Sequence, residues 1–174
     1  KEGYTLSDVD YAQFQKGLAK GVLGDTKAKL GILQALLANH EGSSYTDDAK
    51  FEMAKSYSIL ENPDSAVHWY KDIASQHPNS SYVKKSLLNM GLEHYNRSQN
   101  EEALATFKEV IATYPATAEA KEALVGVKNI YVDLGDIDTY SNYVAGLSFA
   151  NITEASLDST TYEAAELVYM RGDR

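Results

Sequence analysis

The sequence contains no cysteine. That excludes a disulfide framework and any thiolate metal site, and it leaves the compartment open, because a chain without thiols fits any redox environment. Proline is scarce, with three in 174 residues, and tryptophan occurs once. No apolar run approaches the ~20 residues that span a bilayer. Basic residues are in the minority: 16 Lys and Arg stand against 25 Asp and Glu, a formal net charge of −9. A general phosphate-binding surface needs a basic patch, so nucleic acid is not an expected partner. The same balance disfavours docking on anionic membranes, and direct insertion is not expected. Catalytic signatures are missing as well. There is no GxSxG, P-loop or GxGxxG. The histidines, His40, His68, His77 and His94, form no HExxH-like ligand pair. The residues point to no enzyme activity, no metal and no cofactor.

What the sequence does contain is an echo. "SSYTDDAK" begins at Ser43 and "SSYVKKSL" at Ser80, 37 residues later. Similar lead-ins, "ALLANHEG" from Ala35 and "DIASQHPN" from Asp72, precede them, and "EVIATYPA" from Glu109 continues the series. Frames of 37 residues starting at Asp10, Asp47, Lys84, Lys121 and Asp158 align the chain with itself. Their eighth position reads Gly17, Ala54, Gly91, Lys128 and Ala165. Their fifteenth reads Gly24, Glu61, Ser98, Gly135 and Gly172, and their sixteenth Asp25, Asn62, Gln99, Asp136 and Asp173. Their twenty-fourth reads Leu33, Tyr70, Phe107 and Val144. A period in the 20–50 range is the mark of a solenoid.

Each frame splits into two helical halves. Phe51, Met53, Ala54, Tyr57 and Leu60 recur at helical spacing, and Ala66, Val67, Tyr70, Ile73 and Ala74 do so after the "ENPD" break. Asn62 suits an N-cap and Pro63 the first helical position. First helices are expected near 10–23, 47–60, 84–97, 121–134 and 158–171, and second helices near 26–40, 63–77, 100–114 and 137–149. The small residues of the eighth column, with Ala66 and Ala103, would let paired helices approach closely, and stacking of pairs would bury a continuous core.

These columns resemble the tetratricopeptide repeat, whose signature has a small residue at position 8, Tyr at 11, Ala at 20, an aromatic at 24 and Pro at 32. The second frame matches with Ala54, Tyr57, Ala66, Tyr70 and Pro78. The third has Gly91, Ala103, Phe107 and Pro115, with His94 at 11. The first departs with Lys20, Lys29 and Glu41, and the fourth with Lys128 and Tyr140. The resemblance implies an all-α solenoid of antiparallel helix pairs wound as a right-handed superhelix. It would be a single domain over 1–174, with repeats at about 10–46, 47–83, 84–120 and 121–157 and a truncated fifth at 158–174, as in a fragment of a larger protein. The period is 37 rather than the usual 34. The three surplus residues, about one helical turn, fall after the proline and are expected to lengthen the next first helix, carrying Tyr45 and Tyr82 on the added turn. This longer form is similar to the repeats of bacterial envelope proteins such as the Tol-Pal accessory protein, and the ending "DSTTYEAAELVYMRGD" to repeats of large Bacteroidetes proteins. A periplasmic or outer-membrane-peripheral location follows as an expectation.

The same resemblance implies a concave groove lined by positions 2, 5, 6, 9, 12 and 13 of the first helices. Position 5 reads Phe14, Phe51, Leu88, Val125 and Tyr162; position 12 includes Tyr95, Val132 and Tyr169. The expected binding residues are Tyr11, Phe14, Phe51, Glu52, Lys55, Lys85, Leu88, Asn89, Tyr95 and Asn129, apolar anchors ringed by polar groups as suits a peptide or protein partner. The carboxylate clamp of chaperone-binding repeats is not reproduced: its places hold Phe14, Leu18, Glu52, Lys85 and Asn89 in one window and Phe51, Lys55, Asn89, Glu122 and Gly126 in the next. An alternative is a glycan or peptidoglycan-fragment module stacking sugars on Tyr11, Phe51 and Tyr95. Arg171-Gly172-Asp173 spells an adhesion tripeptide, but Gly172 and Asp173 occupy the turn columns of the frame. Three glycosylation sequons start at Asn79, Asn96 and Asn151, where turns are expected. The fifth frame would leave helix 158–171, with Val168, short of cover, so self-association or fraying is expected at that end.

Overall fold

Four successive repeats turn at the same place, and the chemistry is local. The computed structural model describes residues 6–150 and 154–171, and among these every regular element is an α-helix. They are α1 (Leu6–Val22), α2 (Thr26–Asn39), α3 (Thr46–Ile59), α4 (Pro63–Gln76), α5 (Val83–Asn96), α6 (Asn100–Thr113), α7 (Ala118–Leu134), α8 (Ile137–Ala145) and α9 (Glu154–Arg171). The fifteenth position of four successive frames is left-handed: Gly24 at φ 78°, Glu61 at 55°, Ser98 at 57° and Gly135 at 70°. The following N–H then reaches back to the carbonyl of position 11, at 2.9 Å in Asp25→Lys20, 2.9 Å in Asn62→Tyr57, 3.0 Å in Gln99→His94 and 2.9 Å in Asp136→Tyr131. This is the hydrogen bond that closes a helix C-terminus around a left-handed residue. The sixteenth residue opens the second helix. Asp25, Asn62 and Asp136 accept from Ala28 N, Ser65 N and Thr139 N. Gln99 makes no side-chain cap, because its Oε1 is bonded to His94 Nδ1 at 2.9 Å.

Second helices start where the sequence places them, and most ends agree within a residue. Three differences have local causes. Thr117 accepts from Ala120 N, so α7 begins at Ala118, three residues early, and carries the added turn expected of a first helix, while α1 and α9 begin four residues early, at Leu6 and Glu154. Gly146 and Leu147 bond back to Tyr143 and Val144 in a tight turn, so α8 ends at Ala145 rather than near 149. The surplus residues after the first two repeats do not lengthen α3 and α5. Tyr45 and Tyr82 lie in the turn immediately before these helices. Ser43 Oγ accepts from Tyr45 N at 3.1 Å and donates to Asp10 Oδ2 at 2.6 Å. Ser80 repeats this with Tyr82 N and Asp47. One hydroxyl thus uses its acceptor and its donor to pin the turn to the first residue of its own repeat. The third repeat has Lys84 where Asp10 and Asp47 stand, and its Thr117 caps a helix instead.

The contacts divide the chain into two compact units, residues 1–93 and 94–174. In the first, α1 packs on α2, α3 on α4, and α2 on α3. Phe14, Leu30, Leu33, Leu36, Ala49 and Met53 form a core there. A Cβ on Gly17 would lie 2.9 Å from Leu33, so the expected close approach is real. In the second, α7 packs on α6, α8 and α9 around Phe107, Val127 and Ile130. Here the eighth position is Lys128, and the close approach moves to Gly126, where a Cβ would stand 2.5 Å from the Phe107 ring. Position 24 is interior in all four repeats, as Leu33, Tyr70, Phe107 and Val144. Val168 as a side chain, and Gly172, Asp173 and the sequon at 151–153, lie outside the described residues. Asn79 and Asn96 are exposed, at a turn and at the end of α5.

Candidate functional site

Of the ten residues expected to line a groove, three are interior. Phe14 and Phe51 are each 7 % exposed and Leu88 5 %. The reason for the first two is the turn tyrosine of the longer repeat. Tyr45 stacks on Phe14 at 5.4 Å and Tyr82 on Phe51 at 4.6 Å. The surplus residues therefore supply a lid for position 5, and the phenylalanines pack rather than anchor a ligand. Val132, on the same expected face, is also buried. The sequence carries a signal for this, a tyrosine at the same offset in both long turns, which spacing alone does not distinguish from a residue on an added helical turn.

The remaining residues stay at or near the surface. Tyr11, Lys55, Lys85 and Asn129 are exposed, and Glu52, Asn89 and Tyr95 are half-buried. Glu52 is the best-connected of them. It is paired with Lys29 and, at 2.7 Å, with Lys55. Lys55 Nζ also lies 5.8 Å from the centre of the Phe51 ring. Burial pushes the Glu52 carboxyl up, but hydrogen bonds and charge from Lys29 and Lys55 outweigh this and hold its pKa below the ordinary 4.5. Lys29 is the departure from alanine at position 20. It is buried, and its stem fills the space beside Gly21, where a Cβ would lie 2.8 Å from it. Sequence reasoning registered the mismatch but not its two compensations, one per end of the side chain.

Within each unit, side chains cross-link neighbouring helices. Ser58 donates to Glu93, joining α3 to α5. Tyr95 donates to Asp133 at 2.8 Å, tying the end of α5 to α7. Lys128 pairs with Glu163 at 2.9 Å, tying α7 to α9. Burial and the bond to Asp133 raise the Tyr95 phenol pKa. Tyr82, half-buried and donating to Asp48 at 2.7 Å among acidic neighbours, has its phenol pushed up to about 12 by desolvation, that bond and the nearby charges.

Clefts are shallow. Two are repeat-equivalent, one of 550 Å³ around Asp10, His40 and Ser43 and one of 650 Å³ around Asp47, His77 and Ser80. In each, Ser pairs with Asp as above, and His40 bonds to Gln13 at 3.1 Å and His77 to Lys50 at 2.8 Å. A third, of 490 Å³, lies between the α7–α8 turn and α9. No group of three or more potential metal ligands occurs among the described residues.

With this geometry in view, the similarities to known proteins fall into place. Residues 85–117 match the tetratricopeptide repeat family. A kinesin-light-chain-type protein of Podosopora anserina with nearly identical TPR-like repeats superposes with a TM-score of 0.61, over 99 % of this chain and 90 % of its own, at 14 % identity. The fold is that of a tetratricopeptide repeat protein. A single-residue variant of the same Podosopora protein gives a TM-score of 0.61 at 13 % identity, over 99 % and 91 % of the two chains. A protein-binding protein of Bacteroides ovatus gives 0.47 at 16 % identity, over 94 % and 83 %. No curated protein matches the sequence. In tetratricopeptide terms, the first helices carry the exposed polar and aromatic residues and the second helices supply most of the position-20 and position-24 core.

Proposed function

We propose that the protein is a non-enzymatic interaction scaffold that holds a peptide or partner protein against the face of its first helices. The observation that carries this reading is the surface those helices present. Tyr11, Lys55 and Lys85 stay exposed on the first unit, where Ser58 is tied to Glu93, and Val125, Asn129, Tyr162 and Tyr169 stay exposed on the second, where Lys128 is tied to Glu163. Exposed aromatic and polar groups carried on packed helices suit recognition of a polypeptide, because little backbone entropy is lost on binding. The saccharide alternative is weakened. Of its three stacking rings, Phe51 is buried beneath Tyr82 and Tyr95 is half-buried. The 37-residue period is similar to that of envelope tetratricopeptide proteins and supports a bacterial periplasmic or outer-membrane-peripheral setting. No helix among the described residues is long and apolar enough to cross a membrane.

A peptide-library selection on the protein, with bound segments mapped by hydrogen exchange, tests the scaffold reading. Protection on α1, α3, α5, α7 or α9 supports it. Protection confined to the second helices, or selection of no peptide at all, defeats it.

A further inference from the structure

We propose that the α7–α9 face of the second unit takes a basic amphipathic helix, with one lysine or arginine of that helix seated in the cleft beside Tyr169. The inference rests on the scaffold reading and specifies the partner. α9 is two-sided: Thr160 and Ala164 are buried, each at 4 %, while Tyr162 at 70 %, Tyr169 at 86 % and Met170 at 71 % face solvent. Tyr162 and Tyr169 stand two turns apart, roughly 10 Å along the axis, which matches apolar residues repeating along one face of a partner helix. Val125 on α7 is exposed as well, and the Lys128–Glu163 pair at 2.9 Å sets the spacing of the two helices.

The sign of the partner's charge follows from the balance around this surface. Residues 94–174 carry thirteen Asp and Glu against six Lys and Arg, whereas residues 1–93 carry twelve against ten. Glu122, Asp158 and Glu166 are exposed on α7 and α9 against one exposed lysine among the described residues of these helices, Lys121, while Lys128 is neutralised by Glu163. Such a face repels an acidic segment and a second copy of this net-negative chain, and it attracts a cationic one. The 490 Å³ cleft adds a specific seat. Its lining includes Ala164, Ala165, Tyr169, Asp136 and Asp138, the Asp136 carboxylate also capping α8 through Thr139 N. A lysine or arginine laid there would rest its apolar stem on the alanines and bring its cation to Tyr169 and the carboxylates.

Synthetic helices test this on the intact protein by fluorescence anisotropy. One probe carries Leu at i, i+3, i+4 and i+7 with Lys elsewhere; a second keeps the Leu spacing with Glu for Lys; a third scrambles the first. The Lys helix is expected to bind at least about tenfold more tightly than the other two, and to weaken as salt is raised beyond the range where the Debye length is ~10 Å. Tyr169→Ser, Glu166→Lys and Asp138→Lys, all at exposed positions, should each reduce that binding, with unchanged melting curves as the folding control. Equal binding of the Glu helix or the scramble, or full binding by all three variants, overturns the proposal. Association of two copies through α9, seen in sedimentation and abolished by Tyr169→Ser, also overturns it. An acidic peptide held on the first-helix face would refute the basic partner while leaving the scaffold reading intact; absence of any peptide on that face would refute the scaffold reading itself.

Discussion

The Tyr82 ring stacks on Phe51 at a centroid distance of 4.6 Å and an interplanar angle of 27°. Tyr45 holds the same relation to Phe14 at 5.4 Å and 17°. Each pair joins the turn at the end of one repeat to the first helix of that repeat. The covering ring should therefore be a stability determinant. Tyr82→Ala is expected to cost about 1–3 kcal/mol by loss of ring contact and exposure of Phe51. Tyr82→Phe keeps the ring, loses only the bond to Asp48, and should cost about 1 kcal/mol or less. Urea melts of the two variants provide the check; equal losses would show that the hydroxyl, and not the stack, holds the turn.

Glu52 makes stability pH-dependent in a defined direction. Its folded pKa lies below 4.5, so the folded state favours the ionised form more than the unfolded state does. The contribution is fully present above about pH 4.5 and is lost as pH falls through the lower folded value. Melting temperatures of the protein and of Glu52→Gln should differ at pH 7 and converge on acidification. Removing Glu52 leaves Lys29 buried without its partner, so Lys29→Met in the Glu52→Gln background should recover part of the loss. Convergence at pH 7 rather than at low pH would contradict the ion-pair account.

Two glycines with opposite surroundings give opposite forecasts. A Cβ at Gly126 meets the Phe107 ring at 2.5 Å, and Phe107 is fully buried. Gly126→Ala should destabilise by about 1–3 kcal/mol through overpacking. Gly31 is exposed within α2 and has nothing within 4 Å of its added Cβ. Gly31→Ala should stabilise by about 0.5–1 kcal/mol through helix propensity alone. Thermal unfolding followed by circular dichroism measures both.

The left-handed column offers a third contrast. Glu61 and Ser98 adopt φ 55° and 57°, where a side chain is strained, and Gly135 fills the same place at 70° without strain. Glu61→Gly and Ser98→Gly should each stabilise by up to ~1 kcal/mol, and Gly135→Ala should destabilise by about 1 kcal/mol. A fall in melting temperature for both glycine substitutions would mean that the lost side chains make contacts worth more than the backbone strain.

The repeat, its helix halves and its turns were legible in the amino-acid sequence because their causes lie within a few residues. A left-handed position at column 15, an Asp or Asn cap at column 16 and a proline at the first turn of α4 each act on the backbone beside them. The large apolar residues of column 24, Leu33, Tyr70, Phe107 and Val144, marked the core for the same reason: helical periodicity sets which side faces inward. The binding face was only partly legible. Family position alone placed Phe14 and Phe51 in a groove, but Tyr45 and Tyr82 cover them after the chain has returned from a full repeat. Lys29 at an alanine position became tolerable through Gly21 and Glu52, and Gly126 took over the close contact that Lys128 could not make. Each of these outcomes depends on which distant side chains meet when helices pack, and packing is a property of the assembled helices, not of any local stretch.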